Sequence, residues 1–122
     1  MLRQFLVFLA ICAFTTAFLQ DKIAEDTAKR IAPKFKRKLT NVLMKPVGSS
    51  VRLKCAADGN PTPNITWSKN NGPIIRRYFQ PRYGKWSVYF EELGKPDDGN
   101  YTCLVCNGLG CISNTFVLTV VE

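Results

Sequence analysis

The 122-residue chain has no histidine. Without an imidazole there can be no Ser-His or Cys-His nucleophile pair, and no histidine can complete a tetrahedral zinc set. Glycine-rich phosphate loops are also missing, and Glu91-Glu92 reads as a solvated strand end rather than an inward-facing acid pair. The sequence therefore points away from an enzyme, and no metal or cofactor is expected. Acidic residues are scarce, 9 against 17 Lys and Arg, for a formal net charge of +8. Long apolar runs are scarcer still. Only Phe5 to Phe14 qualifies, and at about ten residues it falls short of the ~20 needed to cross a bilayer. With Arg3 before it and Thr15-x-Ala17 after it, this run has the pattern of a secretory signal peptide over residues 1–17. Membrane insertion is not expected.

Cleavage there would remove Cys12 and leave Cys55, Cys103, Cys106 and Cys111. An even count in a short secreted chain implies disulfides. With Arg3 also gone, 16 basic residues face 9 acidic ones, a net +7. A basic extracellular domain meets anionic glycans and cell surfaces, and nucleic acid is not an expected partner. Residues 18–38 mix charges and small side chains without a core-forming pattern. They read as a basic flexible arm, with a dibasic pair at Lys29-Arg30. From Leu39 the pattern is that of strands. Val51, Leu53 and Cys55 alternate with Arg52 and Lys54; Ile65 alternates with Trp67; Trp86, Val88 and Phe90 alternate before Leu93. Asn60-Pro61-Thr62-Pro63 and Asn71-Gly72-Pro73 mark turns. A single all-β domain over 39–122 is the expectation.

The spacing of Cys55, Trp67 and Asp97-x-Gly99-x-Tyr101-x-Cys103 resembles the immunoglobulin signature. That resemblance implies an immunoglobulin-like (I-set) two-sheet sandwich with a flexible N-terminal arm. It also implies a bridge between Cys55 and Cys103, an indole packed on that bridge, and a tyrosine corner at Tyr101. More narrowly, Gly59-Asn60-Pro61-Thr62-Pro63, Trp67-x-Lys69-Asn70, Trp86-Ser87-Val88 and the run from Gly99 to Ile112 resemble the second immunoglobulin domain of fibroblast growth factor receptors. A free-standing secreted domain is also similar to the one-immunoglobulin-domain proteins of invertebrates, some of which organise receptors at synapses. The stretch matching the receptors' growth-factor contact strand reads Met44-Lys45-Pro46-Val47, with a lysine intruding on an apolar pattern.

Three sets of residues carry the functional expectation. Arg52 and Lys54 alternate with core positions and should point outward. In the strand order the resemblance implies, they share a face with Lys36, Arg37, Lys38, Arg82 and Lys85, the face on which the receptor family binds heparan sulfate. Cys106 and Cys111 flank the hairpin turn Asn107-Gly108-Leu109-Gly110. If the two strands pair around it, both cysteines point outward and oppose each other, as a bridge requires; a free thiol or an intermolecular bridge are the alternatives. A stapled turn loses less entropy on docking, so these four residues form a candidate partner-binding tip. Asn64-Ile65-Thr66 and Asn100-Tyr101-Thr102 are glycosylation sequons. The expected function is a secreted single-domain binding protein that contacts heparan sulfate and organises or adheres to a cell-surface receptor or other extracellular protein, with the synaptic cleft as the setting implied by analogy. The alternative is a soluble decoy or modulator of growth-factor signalling.

Overall fold

The computed structural model describes residues 29–122, and the compact unit runs from Ile31 to Glu122. The signal-peptide segment and most of the expected arm lie outside the described residues. Nine strands form two layers among the described residues. They are β1 (Ile31–Phe35), β2 (Val42–Pro46), β3 (Val51–Lys54), β4 (Ala57–Asn60), β5 (Asn64–Lys69), β6 (Arg82–Tyr83), β7 (Ser87–Phe90), β8 (Gly99–Asn107) and β9 (Gly110–Val121).

One layer has the order β2-β9-β8-β5, with β2 running parallel to β9 and the other pairs antiparallel. In the second layer β3 pairs with β7 and β7 with β6, while β1 pairs with β4. β3 and β4 are two halves of one line of chain, broken at Cys55-Ala56. The Cys55 N–H donates to the Trp86 carbonyl on one side, and the Ala56 carbonyl accepts from the Lys36 N–H on the other. The layer thus reads β1, β3/β4, β7, β6 from edge to edge.

Alternation fills the space between the layers, as period-two strands require. Leu53, Cys55, Val88 and Phe90 point inward from one layer, and Tyr101, Cys103, Val105, Leu118 and Val120 meet them from the other, all buried. The Cys55–Cys103 disulfide joins the layers, its Cα atoms 6.6 Å apart. Trp67 lies opposite Cys103 in the β5–β8 register and stacks on Phe116 with ring centroids 6.2 Å apart.

At the turn into β8 the Tyr101 hydroxyl donates to the Asp97 carbonyl at 2.6 Å. The Asp97 carboxylate is itself buried. It accepts from the Gly94 N–H at 2.9 Å and from both arms of Arg76, at 2.9 and 3.1 Å. Arg76 also donates to the carbonyls of Phe79 and Glu91, tying the β5–β6 connection to the corner. Sequence reasoning assigned Asp97 to the corner motif and overlooked Arg76, whose partner lies 21 residues away.

One boundary differs from the sequence expectation. Residues 31–35, read as part of the flexible arm, form β1. Their backbone pairs with β4 and covers what would otherwise be an open strand edge. Pro33, which discourages a strand reading, is buried at the register shift between Ile31 and Lys34, where its missing N–H leaves no ladder bond unmade.

Burial of the Tyr101 phenol beside Asp97 pushes its pKa far above the ordinary tyrosine value of 10.0. The unfolded chain therefore releases this proton first as pH rises. The stability tied to it is complete below pH 10 and is lost progressively above it. Tyr101→Phe is expected to cost about 1 kcal/mol near neutrality through the lost hydrogen bond and to show a shallower loss of stability above pH 10 than the parent. Urea unfolding at pH 8 and pH 11 measures both effects.

Candidate anion-binding face and hairpin tip

The outward positions of the β1, β3/β4, β7, β6 layer include Arg52, Lys54 and Arg82, with Tyr89 among them. Arg52 and Arg82 both lie opposite Tyr89 in the strand register, one on each side. Their guanidinium carbons sit 5.4 and 5.0 Å from the centroid of its ring. Both arginines are thereby oriented by one aromatic ring, a contact worth about 0.5–1 kcal/mol at an exposed site. Arg82 is also paired with Glu91. Tyr89 was not singled out from the sequence. Its outward parity, between two cationic strands, was the available signal.

Beside this clamp, Lys36, Arg37 and Lys38 leave the end of β1 and come round the same groove as Arg52 and Lys54. Lys36 is 3.6 Å from the Asp58 carboxylate. Arg37, Lys38, Arg52 and Lys54 have no carboxylate partner among the described residues. Arg52 also lines a shallower depression with Arg82 and Tyr83, so it connects the two. Lys85 lines neither. Its ammonium lies 5.7 Å from the centroid of the Trp86 ring, and Trp86 belongs to the groove wall. Six of the seven expected cations thus surround two adjoining depressions, and the seventh stacks on their wall.

The other layer turns a different surface outward. By strand parity β2 presents Val42, Met44 and Pro46, while β9 presents Ser113, Thr115, Val117 and Thr119. β8, on the side of β9 away from β2, presents Asn100, Thr102 and Leu104. None of these is charged, and Val42 and Met44 are 64% and 66% exposed. Lys45, read from the sequence as intruding on this strip, falls on the opposite parity with Leu43 and leaves the strip apolar. Both sequon asparagines, Asn64 and Asn100, are exposed on this uncharged face.

At the end of the hairpin Cys106 lies opposite Cys111 and is bonded to it, with Cα atoms 4.1 Å apart. Gly108 and Leu109 make the two-residue turn. Asn107 is occupied structurally. Its side-chain amide donates to the carbonyls of Ile31 and Pro61, at 2.8 and 3.1 Å, and its oxygen accepts from the Leu109 N–H at 2.9 Å. Of the four tip residues, Leu109 is the one with exposed apolar surface, 42%. Among the described residues no group of three ligating side chains could hold a metal ion, and no helix is long and apolar enough to cross a membrane.

A family model for the immunoglobulin I-set domain matches residues 33–120. The chain belongs to the immunoglobulin I-set family. Among curated proteins it is 44% identical over 82 residues to fibroblast growth factor receptor-like 1 of Homo sapiens, covering 66% of this chain and 16% of that one. It is 45% identical over 78 residues to fibroblast growth factor receptor homolog 1 of Drosophila melanogaster, covering 62% of this chain and 11% of that one. The chain thus spans under a fifth of the length of these relatives. Among solved structures, the insect immune protein hemolin superposes with a TM-score of 0.67 at 26% identity, over 74% of this chain and 22% of that one. A Dscam structure superposes with a TM-score of 0.66 at 25% identity, over 75% and 25%. Both the fold and the receptor resemblance read from the sequence are therefore established. The I-set family is one of binding and adhesion modules, and nothing in these comparisons points to catalysis.

The hairpin disulfide closes a loop of only a few residues. Replacing Cys106 and Cys111 together by serine is expected to lower stability by about 2 kcal/mol, against about 4 kcal/mol for removing the Cys55–Cys103 bridge. Denaturant titrations of the two double variants measure the difference. Equal losses would show that the short bridge does more than stiffen the turn.

Proposed function

We propose that this domain is an extracellular binding module that holds heparan sulfate on its cationic layer and offers the β8–β9 tip to a receptor or another extracellular protein. One observation carries the glycan part: Lys36, Arg37, Lys38, Arg52 and Lys54, from two separate stretches of chain, surround one groove, and Arg82 adjoins it. Clustered cations gain from a linear polyanion by releasing its condensed counterions. A preorganised cluster loses less side-chain entropy on binding than scattered lysines do. The two disulfides support an oxidising, extracellular setting. The rigid tip with exposed Leu109 supports a protein contact.

A second reading is a modulator of growth-factor signalling, and the β2 strip favours it. Val42, Met44 and Pro46 form an apolar outward row, and the lysine beside them points away. The names of the curated relatives are in keeping with either reading.

The parent is expected to elute from immobilised heparin at higher salt than from a simple cation exchanger. Arg52→Ala/Lys54→Ala/Arg82→Ala should reduce the slope of log affinity against log salt by about 2–3, while Lys69→Ala/Lys95→Ala should leave it nearly unchanged. Elution of the parent at the same salt from both resins would remove the specific glycan reading.

A further inference from the structure

The groove framed by the basic cluster is more than a charged surface. It has a volume of about 510 Å³, and its floor is apolar: Leu39, Leu43, Ala56, Trp86 and Phe116. Leu39 belongs to the stretch that carries the chain from one layer to the other, between β1 and β2, Leu43 lies in β2, and Trp86 stands just before β7. Phe116 is a buried member of the core, and Leu39, Leu43 and Trp86 are half-buried against it. The groove is therefore a slot at the seam of the sandwich, apolar inside and cationic at its rim.

A sulfated polysaccharide uses only the rim, because it has no apolar part to lay on this floor. The chemistry that satisfies both halves is a hydrocarbon tail ending in a single anion. The volume lies in the range of small-molecule sites, which are mostly apolar with a few placed polar groups. The charged groups of the lining are all cations, joined by the Thr40 hydroxyl, and four of them have no carboxylate partner among the described residues. We propose that this slot binds a free medium-chain fatty carboxylate, with the tail against Leu43, Trp86 and Phe116 and the carboxylate among Arg52, Lys54 and the Lys36–Lys38 rim. The site shares its rim with the proposed glycan surface but does not depend on that reading, because its floor is what selects the ligand.

Chain length and head group separate the possibilities. Each fully buried methylene is worth about fourfold in affinity, and a tail lying in an open slot buries only part of each, so dodecanoate should bind roughly tenfold more tightly than octanoate. Dodecyl maltoside, with the same tail and no charge, should bind at least tenfold more weakly than dodecanoate. Titration of the folded chain followed by tryptophan fluorescence should show a saturable change with dodecanoate below its micelle concentration, and the change should vanish in Trp86→Phe. Leu43→Gln is expected to lose dodecanoate binding and keep retention on heparin. Should Leu43→Gln fail to fold, Ala56→Leu fills the slot while keeping the surrounding packing, and it should do the same. Arg52→Ala/Lys54→Ala should weaken both ligands. A non-saturable response, equal binding of the maltoside, or dodecanoate binding undiminished in Ala56→Leu would overturn the proposal. Loss of heparin retention by the parent alone would instead remove the glycan reading and leave this one standing.

Discussion

The bond between Cys55 and Cys103 fixes which way the side chains of two strands point. A strand alternates faces with a period of two, so a residue held inward sets every position around it. With Cys55 inward, Arg52 and Lys54 on β3 must face solvent. With Cys103 inward, Cys106 must face outward on β8, where the antiparallel register puts it opposite Cys111. The charge of one face and the staple of the hairpin are thus consequences of one covalent contact between layers. Its loop spans 48 residues of sequence separation, long enough that the crosslink removes a large share of the unfolded chain's freedom.

The same parity divides the molecule chemically. One layer turns arginine and lysine outward around Tyr89 and the seam groove. The other turns hydroxyls, amides and small apolar side chains outward. Repulsion among the clustered cations costs stability, and the cation–π contacts to Tyr89 and the Arg82–Glu91 pair offset part of it. An opposite pole without charge allows a second contact with a partner that need not be acidic. Arg76 and Asp97 perform a different task. Their buried pair and its backbone acceptors hold the long β5–β6 connection against the corner, so the segment leading to Arg82 starts from a fixed point.

The sandwich was legible because its determinants are local or rigidly spaced: alternating apolar runs, turn residues, and the cysteine–tryptophan–tyrosine pattern. The parity of Arg52, Lys54 and Cys106 followed from counting. Long-range features were not legible. Arg76 looks like any surface arginine until the fold brings Asp97 to it. β1 hid behind Pro33 and a basic neighbourhood, since pairing with β4 is a tertiary contact with no periodic signature in five residues. Lys45 was misjudged because composition was read without the strand's phase. The slot beneath Lys36–Lys38 needs residues from four separate stretches of chain, and no spacing rule joins them.

Strand parity on β3 and the stretch that leaves β1 together concentrate the domain's unpaired cations on one layer. Lysine acetylation of the folded chain, with and without a heparin oligosaccharide and mapped by mass spectrometry, tests this directly. Protection at Lys36, Lys38 and Lys54, with Lys69 and Lys95 modified as in the free protein, is the predicted result. Uniform protection across all five lysines, or protection centred on Lys69 and Lys95, would contradict it.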